Sequence, residues 1–233
     1  MGEFLYETHL HTSEGSICGY TSGREYVDFY KDAGFDGIIV TDHFFTGNST
    51  VKFMPITSWE EKVEVFCSGY ENAKKAGDKA GLKVFFGWES WYEGTEFLVY
   101  GLTKEWLLEH PEIMECSISE QYRLVHQDGG MVIHAHPFRE APYILEIRLE
   151  PDYVDGIEVF NYANHYRNPL FNKRAYEYAQ KYDLPMTCGS DIHRKGSAVC
   201  AMCFEEPLHS IQDYMKAVRG KKEYTFRKDV MDS

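Results

Sequence analysis

The chain has no apolar run approaching the ~20 residues that a bilayer-spanning helix needs, so no membrane segment is expected. Its opening residues, Met1 to Thr8, hold neither a basic stretch nor an apolar signal core, so no secretory leader is expected. Basic residues are in short supply: 24 Lys and Arg stand against 37 Asp and Glu, a formal charge of −13. That deficit argues against extended nucleic acid as a partner, because a phosphate backbone demands a basic surface. It leaves room for a small phosphorylated substrate, since bound divalent cations reverse the local field. The six cysteines, Cys18, Cys67, Cys116, Cys188, Cys200 and Cys203, are too scattered for a disulfide framework and predict reduced thiols in a cytoplasmic protein. Cys200-Ala-Met-Cys203 has no second pair to complete a four-thiolate site and lies in an alternating run, which predicts two small core residues on a strand. Neither a Gly-rich triphosphate cradle nor a Gly-x-Ser-x-Gly elbow occurs. Linkers and internal repeats are absent too, so residues 1–233 read as a single domain.

What is present is a hydrophobic fraction of 43% with 15% aromatics, enough for a sizeable core. Short apolar runs at Gly37–Val40, Leu82–Phe86, Met131–Ile133 and Leu184–Thr187 read as buried strands. Helical segments alternate with them, at Ser22–Ala33, Ser58–Ala80, Ser119–Gln127, Asn168–Tyr182 and Ser210–Arg219. This alternation predicts a parallel α/β architecture. Glu96–Gly101 follows the preceding strand too closely for a helical crossover and predicts an antiparallel hairpin or a local irregularity.

Five places put His, Asp or Glu at or just beyond the end of such a run: Glu7-Thr-His9-Leu-His11, Thr41-Asp42-His43, Gly87-Trp-Glu89, His134-Ala-His136-Pro137 and Ser190-Asp191-Ile-His193. In a parallel β/α barrel the strand C-termini converge on one face, where such residues would share a pocket. Imidazoles mixed with carboxylates suit Zn²⁺, Mn²⁺ or Fe²⁺. His9 and His11, two apart on a strand, point to one face, and Asp191 and His193 repeat that spacing. Glu89 would be costly to bury unpaired, which favours a bridging carboxylate. His134 lies one strand period from His136; it is expected either to orient a ligand or bind a phosphate oxygen, or to be a core histidine. Glu158 and Asn161 end another strand and face either the same pocket or a capped loop. Arg139, Arg194 and Lys195 follow directly on these motifs, and Arg139 is the expected phosphate clamp.

The five motifs in this order, from His9 to His193, resemble the PHP (polymerase and histidinol phosphatase) domain family, in particular its stand-alone phosphoesterase branch. The resemblance implies a distorted seven-stranded TIM-like barrel with two or three divalent metal ions, Zn, Mn or Fe. It also implies hydrolysis of phosphate monoesters by metal-activated hydroxide. By that likeness His9, His11 and Asp191 hold one metal, Glu89 bridges to a second bound by His136, and His43 and His193 hold a third. The family's acidic or histidine ligand after the opening motif is replaced here by Glu14 or a neighbour, and a further His by Glu96. His134 and His193 are the expected proton donors, with Arg139 on the substrate's charge. Competing readings are an amidohydrolase-type C–N hydrolase, a phosphodiesterase or exonuclease, and a non-catalytic metal-binding module.

Overall fold

Serine caps start most of the longer helices, as the sequence signals require. In the computed structural model, which describes residues 3–197, 199–221 and 224–228, Ser22, Ser117 and Ser210 each form a capping box. They open α1 (Gly23–Asp32), α4 (Ile118–Gln127) and α7 (Ile211–Gly220). Ser58 caps α2 (Trp59–Ala80), which ends at Gly81 in the left-handed conformation that glycine adopts without strain. The remaining helices are α3 (Lys104–Glu109), α5 (Tyr162–Arg167) and α6 (Pro169–Lys181), the last with proline in its first turn. Among the described residues no helix is long and apolar enough to cross a membrane.

The strands are β1 (Phe4–Leu10), β2 (Gly37–Val40), β3 (Lys83–Tyr92), β4 (Thr95–Tyr100), β5 (Met131–Ala135), β6 (Gly156–Asn161), β7 (Met186–Gly189), β8 (Ala201–Phe204) and β9 (Tyr224–Arg227). They form one sheet in the order β7-β6-β5-β4-β3-β2-β1-β8-β9. A parallel bridge between Leu10 and Ile192 brings the chain just past β7 back to β1, so the sheet is a nearly closed barrel. The described strands number nine, which corrects the expected seven. β4 is the antiparallel return predicted for Glu96–Gly101, and β8 also runs against β1. The β3–β4 turn is only Glu93-Gly94, both at positive φ, the geometry that joins right-twisted strands most tightly.

Two apolar layers lie between strands and helices. One gathers Val63, Phe66, Trp88, Phe97 and Val132, the other Tyr26, Ile38, Leu82 and Val84. A third cluster joins Tyr6, Leu98, Tyr100, Ile133 and Met202 to Tyr214 and Met215 of α7. Cys200 and Cys203 are buried and unpaired in and beside β8, as expected of small core residues.

Candidate metal centre

Glu89, fully buried on β3, lies among four imidazoles. His9 Nε2 is 3.2 Å and His136 Nε2 3.0 Å from its Oε1; His43 Nδ1 is 2.8 Å and His11 Nε2 3.5 Å from its Oε2. Asp191 Oδ1 lies 3.3 Å from His11 Nε2 and 3.7 Å from His9 Nε2. Glu96 faces His136 at 3.6 Å and His43 at 3.9 Å. Ligand atoms fall into overlapping groups within 4.8 Å of one another: His9–His11–Glu89, His9–His136–Asp191, His43–Glu89–Glu96 and His11–His43–His193.

Proton placement shows what this arrangement fits. A carboxylate can only accept, so a proton on His9 Nδ1 meets Glu158 Oε1 at 2.9 Å, and in the neutral ring that ligation requires His9 Nε2 carries a lone pair. Ser16 Oγ gives its one hydrogen to Asp42 at 2.7 Å, so it accepts from His11 Nδ1 at 3.3 Å. His11 Nε2 then also carries a lone pair, and it lies 3.1 Å from His9 Nε2. In those neutral rings two facing lone pairs repel unless a cation lies within reach of both. His43 Nδ1 and Glu89 Oε2 are likewise buried without a hydrogen bond of proper geometry, although only 2.8 Å apart. The donor set fits divalent metal ions.

An outer ring of polar groups fixes these donors. A register shift in β1 between Glu7 and Leu10 frees backbone N–H groups, and Glu7 Oε1 accepts from those of Thr8 and His9 at 2.9 Å each. The same oxygen accepts from Ser190 N at 2.9 Å, which ties the Asp191 segment to the His9 segment. Glu158 Oε2 accepts from His136 N at 3.1 Å and from Asn161 Nδ2 at 2.9 Å. A Cβ at Gly189 would sit 2.4 Å from His9 Cβ and 2.6 Å from Glu158 Oε1, so only glycine lets β7 approach this closely. His136 and Asp191 both have positive φ, 30° and 55°, a conformation costly for side-chain-bearing residues and held only where the surroundings enforce it.

The electrostatics follow from crowding. Burial opposes protonation of His9, but Glu158, Glu89 and Asp191 outweigh it and hold the imidazole well above its ordinary range. His11 is driven the other way, by burial and by His43 and His193 beside it. Burial and Glu89 raise Glu96. Cys18 also opens onto this region: burial would raise its thiol, but hydrogen bonds and charge from His193 and His43 bring it down to about 6.

Of the residues singled out in the sequence, His9, His11, His43, Glu89, Glu96, His136, Asp191 and His193 come together here. Glu14 does not, and this is a correction: its carboxylate accepts from Gly23 N at 3.1 Å, at the start of α1, and from Asn72 at 3.1 Å. His134 is the second correction. Its ring stacks on Phe97 at 4.8 Å in an apolar layer, where burial and His136 push it down to about 3, so it is neutral and cannot serve as a proton donor near pH 7. The turn at His136 breaks the strand alternation, so the two histidines do not share a face. Arg139 reaches the centre, but it grips Asp191, with Asn164 at 2.8 Å and Asn161 at 3.1 Å, so the guanidinium braces a candidate ligand. Arg194 stacks over Tyr20 and Lys195 pairs with Glu25 at 2.6 Å.

The centre opens into a cavity of about 500 Å³ lined by Cys18, His43, Trp91, Arg139, Tyr143 and His193, with Lys52 and Arg167 also on its wall. Lys52 and Arg167 carried no sequence signal, because neither lies near a ligand motif.

Residues 169–222 match the PHP_C family, described as PHP-associated. No curated protein matches the chain. Solved structures do. A two-domain protein of Bacteroides vulgatus, containing a predicted PHP-like metal-dependent phosphoesterase, aligns over 98% of this chain with 16% identity and a TM-score of 0.70. The chain spans 65% of that protein's length. A presumed metal-dependent phosphoesterase of Bifidobacterium adolescentis aligns over 93% of this chain and 96% of its own, at 17% identity and a TM-score of 0.58. An amidohydrolase of Chromobacterium violaceum aligns over 91% of this chain and 96% of its own, at 15% identity and a TM-score of 0.55. The chain thus shares its barrel fold with these solved structures. Residues 169–222 add a match to a PHP-associated family.

Proposed function

We propose that the chain is a metal-dependent phosphomonoesterase acting on small phosphorylated substrates with two or three bound divalent ions, Zn, Mn or Fe. The observation that carries this reading is the close approach of His9 Nε2 and His11 Nε2, 3.1 Å apart beside Glu89 and Asp191. His9, His11, Glu89 and Asp191 would hold one ion, His136 with Glu89 and Glu96 a second, and His43 with His193 would contribute to a third. Bound together, such ions polarise a phosphoryl group and make hydroxide available near neutral pH. The chain's own residues do the rest. Glu158 keeps the His9 proton on Nδ1, Arg139 fixes the Asp191 carboxylate, and Glu7 holds both motif backbones in register. Lys52 and Arg167, on the cavity wall, favour an anionic substrate and oppose the chain's overall negative field. A cavity of about 500 Å³ suits a small ester better than a polymer. Six free thiols accord with a reducing cytoplasm.

The likeness to an amidohydrolase gives a second reading, C–N hydrolysis, some weight. Phosphate release from a panel of monoesters by metal-loaded protein, set against bis-p-nitrophenyl phosphate and cyclic amides, separates the two. Turnover of monoesters alone is expected. Amide hydrolysis without phosphate release would replace the first reading with the second.

A further inference from the structure

Cys18 belongs to none of the ligand groups above, yet the fold holds it in place. It lies in the connection between β1 and α1, and that connection is anchored on Asp42. Asp42 accepts from Thr12 N at 2.6 Å, Thr12 Oγ1 at 2.6 Å and Ser16 Oγ at 2.7 Å. Gly15 packs so tightly on it that a Cβ there would lie 2.4 Å from the carboxylate. The residues flanking Cys18 are tied down as well: Ile17 N donates to Asn48 O at 3.0 Å, Gly19 N to Ser16 O at 2.9 Å and Tyr20 N to His193 O at 2.7 Å. The result is a turn that sends Glu14 outward to α1 and presents Cys18 to the cavity that His43 and His193 also line.

Those two imidazoles, with His11, have ligand nitrogens within 4.8 Å of one another, and His43 Nδ1, 2.8 Å from Glu89 Oε2, is buried without a hydrogen bond. Neutral imidazoles alone hold a divalent cation weakly. Glu14, the carboxylate expected to complete the site, points elsewhere, and Cys18 lines the cavity with His43 and His193.

We infer that Cys18 is a metal ligand, its sulfur joining His43 and His193 in a Cys–His₂ site that takes Zn²⁺ or Fe²⁺ in preference to Mg²⁺ or Mn²⁺. The inference rests on the metal-dependent reading above and adds to it a ligand and a cation class. Thiolate with imidazole selects borderline-soft ions, whereas carboxylate and water suit Mg²⁺ and Mn²⁺. Three protein ligands also leave a coordination position open to substrate or solvent, the pattern of catalytic zinc sites.

The test is titration of metal-free protein with Co²⁺, under anaerobic conditions and a phosphine reductant. Wild type should develop a sulfur-to-cobalt charge-transfer band in the near ultraviolet as one equivalent binds. Cys18→Ser should lose that band, and affinity for one equivalent should fall by more than the roughly 10–100-fold that loss of an orienting partner costs. Ions at the Glu89 groups should bind as before. Cys18→Asp should restore the equivalent without the band and let Mn²⁺ compete for it. A wild type that binds cobalt without the band, or a Cys18→Ser protein that keeps it, would overturn the ligand role and leave the Glu89 centre standing. A wild type that binds no cobalt at all would overturn both readings.

Discussion

Glu158→Gln is nearly isosteric, yet its effect on metal affinity follows from counting hydrogens. In wild type one carboxylate oxygen faces His9 Nδ1 at 2.9 Å, while the other accepts from His136 N and Asn161 Nδ2. An amide has only one acceptor oxygen. If that oxygen faces His9, the NH₂ group meets two donors at 3.1 and 2.9 Å. If the amide turns over, the NH₂ group meets His9 Nδ1 and moves the ring proton to Nε2, the atom that must ligate. Either outcome impairs His9 or His136. Loss of such an orienting partner costs roughly 10–100-fold in metal affinity, or about 1.4–2.8 kcal/mol at 1.4 kcal/mol per decade. Leaving a buried donor unpaired costs the metal-free fold a further ~1–3 kcal/mol. The assay is chelator competition for Zn²⁺ or Mn²⁺ with wild type and variant, alongside urea unfolding of both metal-free proteins. Wild-type affinity and stability in Glu158→Gln would refute the assignment of the His9 proton, and with it the argument from facing lone pairs.

Glu89→Gln and Asp191→Asn should each abolish hydrolysis and reduce bound metal by elemental analysis, because a neutral amide cannot hold two cations together; near-native activity and metal content would rule out the bridging role. Glu14→Ala should leave metal content unchanged and cost about 0.5–1.5 kcal/mol in chemical unfolding, the usual net worth of a hydrogen bond; a change in metal stoichiometry would return Glu14 to the centre. His134→Leu should keep activity and metal content, since the ring it replaces is buried against Phe97; a large fall in kcat would contradict that placement. Metal uptake should expel protons at neutral pH. His9 is held in its protonated form above the ordinary histidine value of about 6.5, ligation needs the neutral ring, and affinity should therefore weaken as pH falls. Calorimetry in buffers of different ionisation heat measures this, and an enthalpy independent of buffer would contradict it.

The strand ends were legible because each is an apolar run stopped by a charged or imidazole side chain, a local pattern that needs no partner to be read. Capped helices were legible for the same reason. What the sequence hid depends on distant contacts. Glu14 and Cys18 look equally available in a linear reading. Asp42, some 30 residues away, decides between them by fixing the turn at Thr12 and Ser16. His134 and His136 share a strand period on paper, but positive φ at His136 breaks that period at the last moment. Arg139 reads as a substrate clamp until Asp191, which it grips, is seen to need a counter-charge. The short strand β9 sits at the sheet edge, where pairing rather than periodicity defines it.

The stitching of β1 to the end of β7 also sets a timetable for the chain. Glu7 accepts from Ser190 N across 183 residues, and Thr8 Oγ1 donates to Cys188 O across 180. Contacts that distant in sequence close late, because the intervening loop entropy must be overcome before they contribute anything. During synthesis His9 and His11 emerge well before Asp191 and His193, which follow them only after most of the barrel's strands. Until then the nascent chain offers isolated imidazoles rather than a cage. Metal captured afterwards would stabilise only molecules in which this closure has occurred, so loading would double as a check that the barrel has been completed.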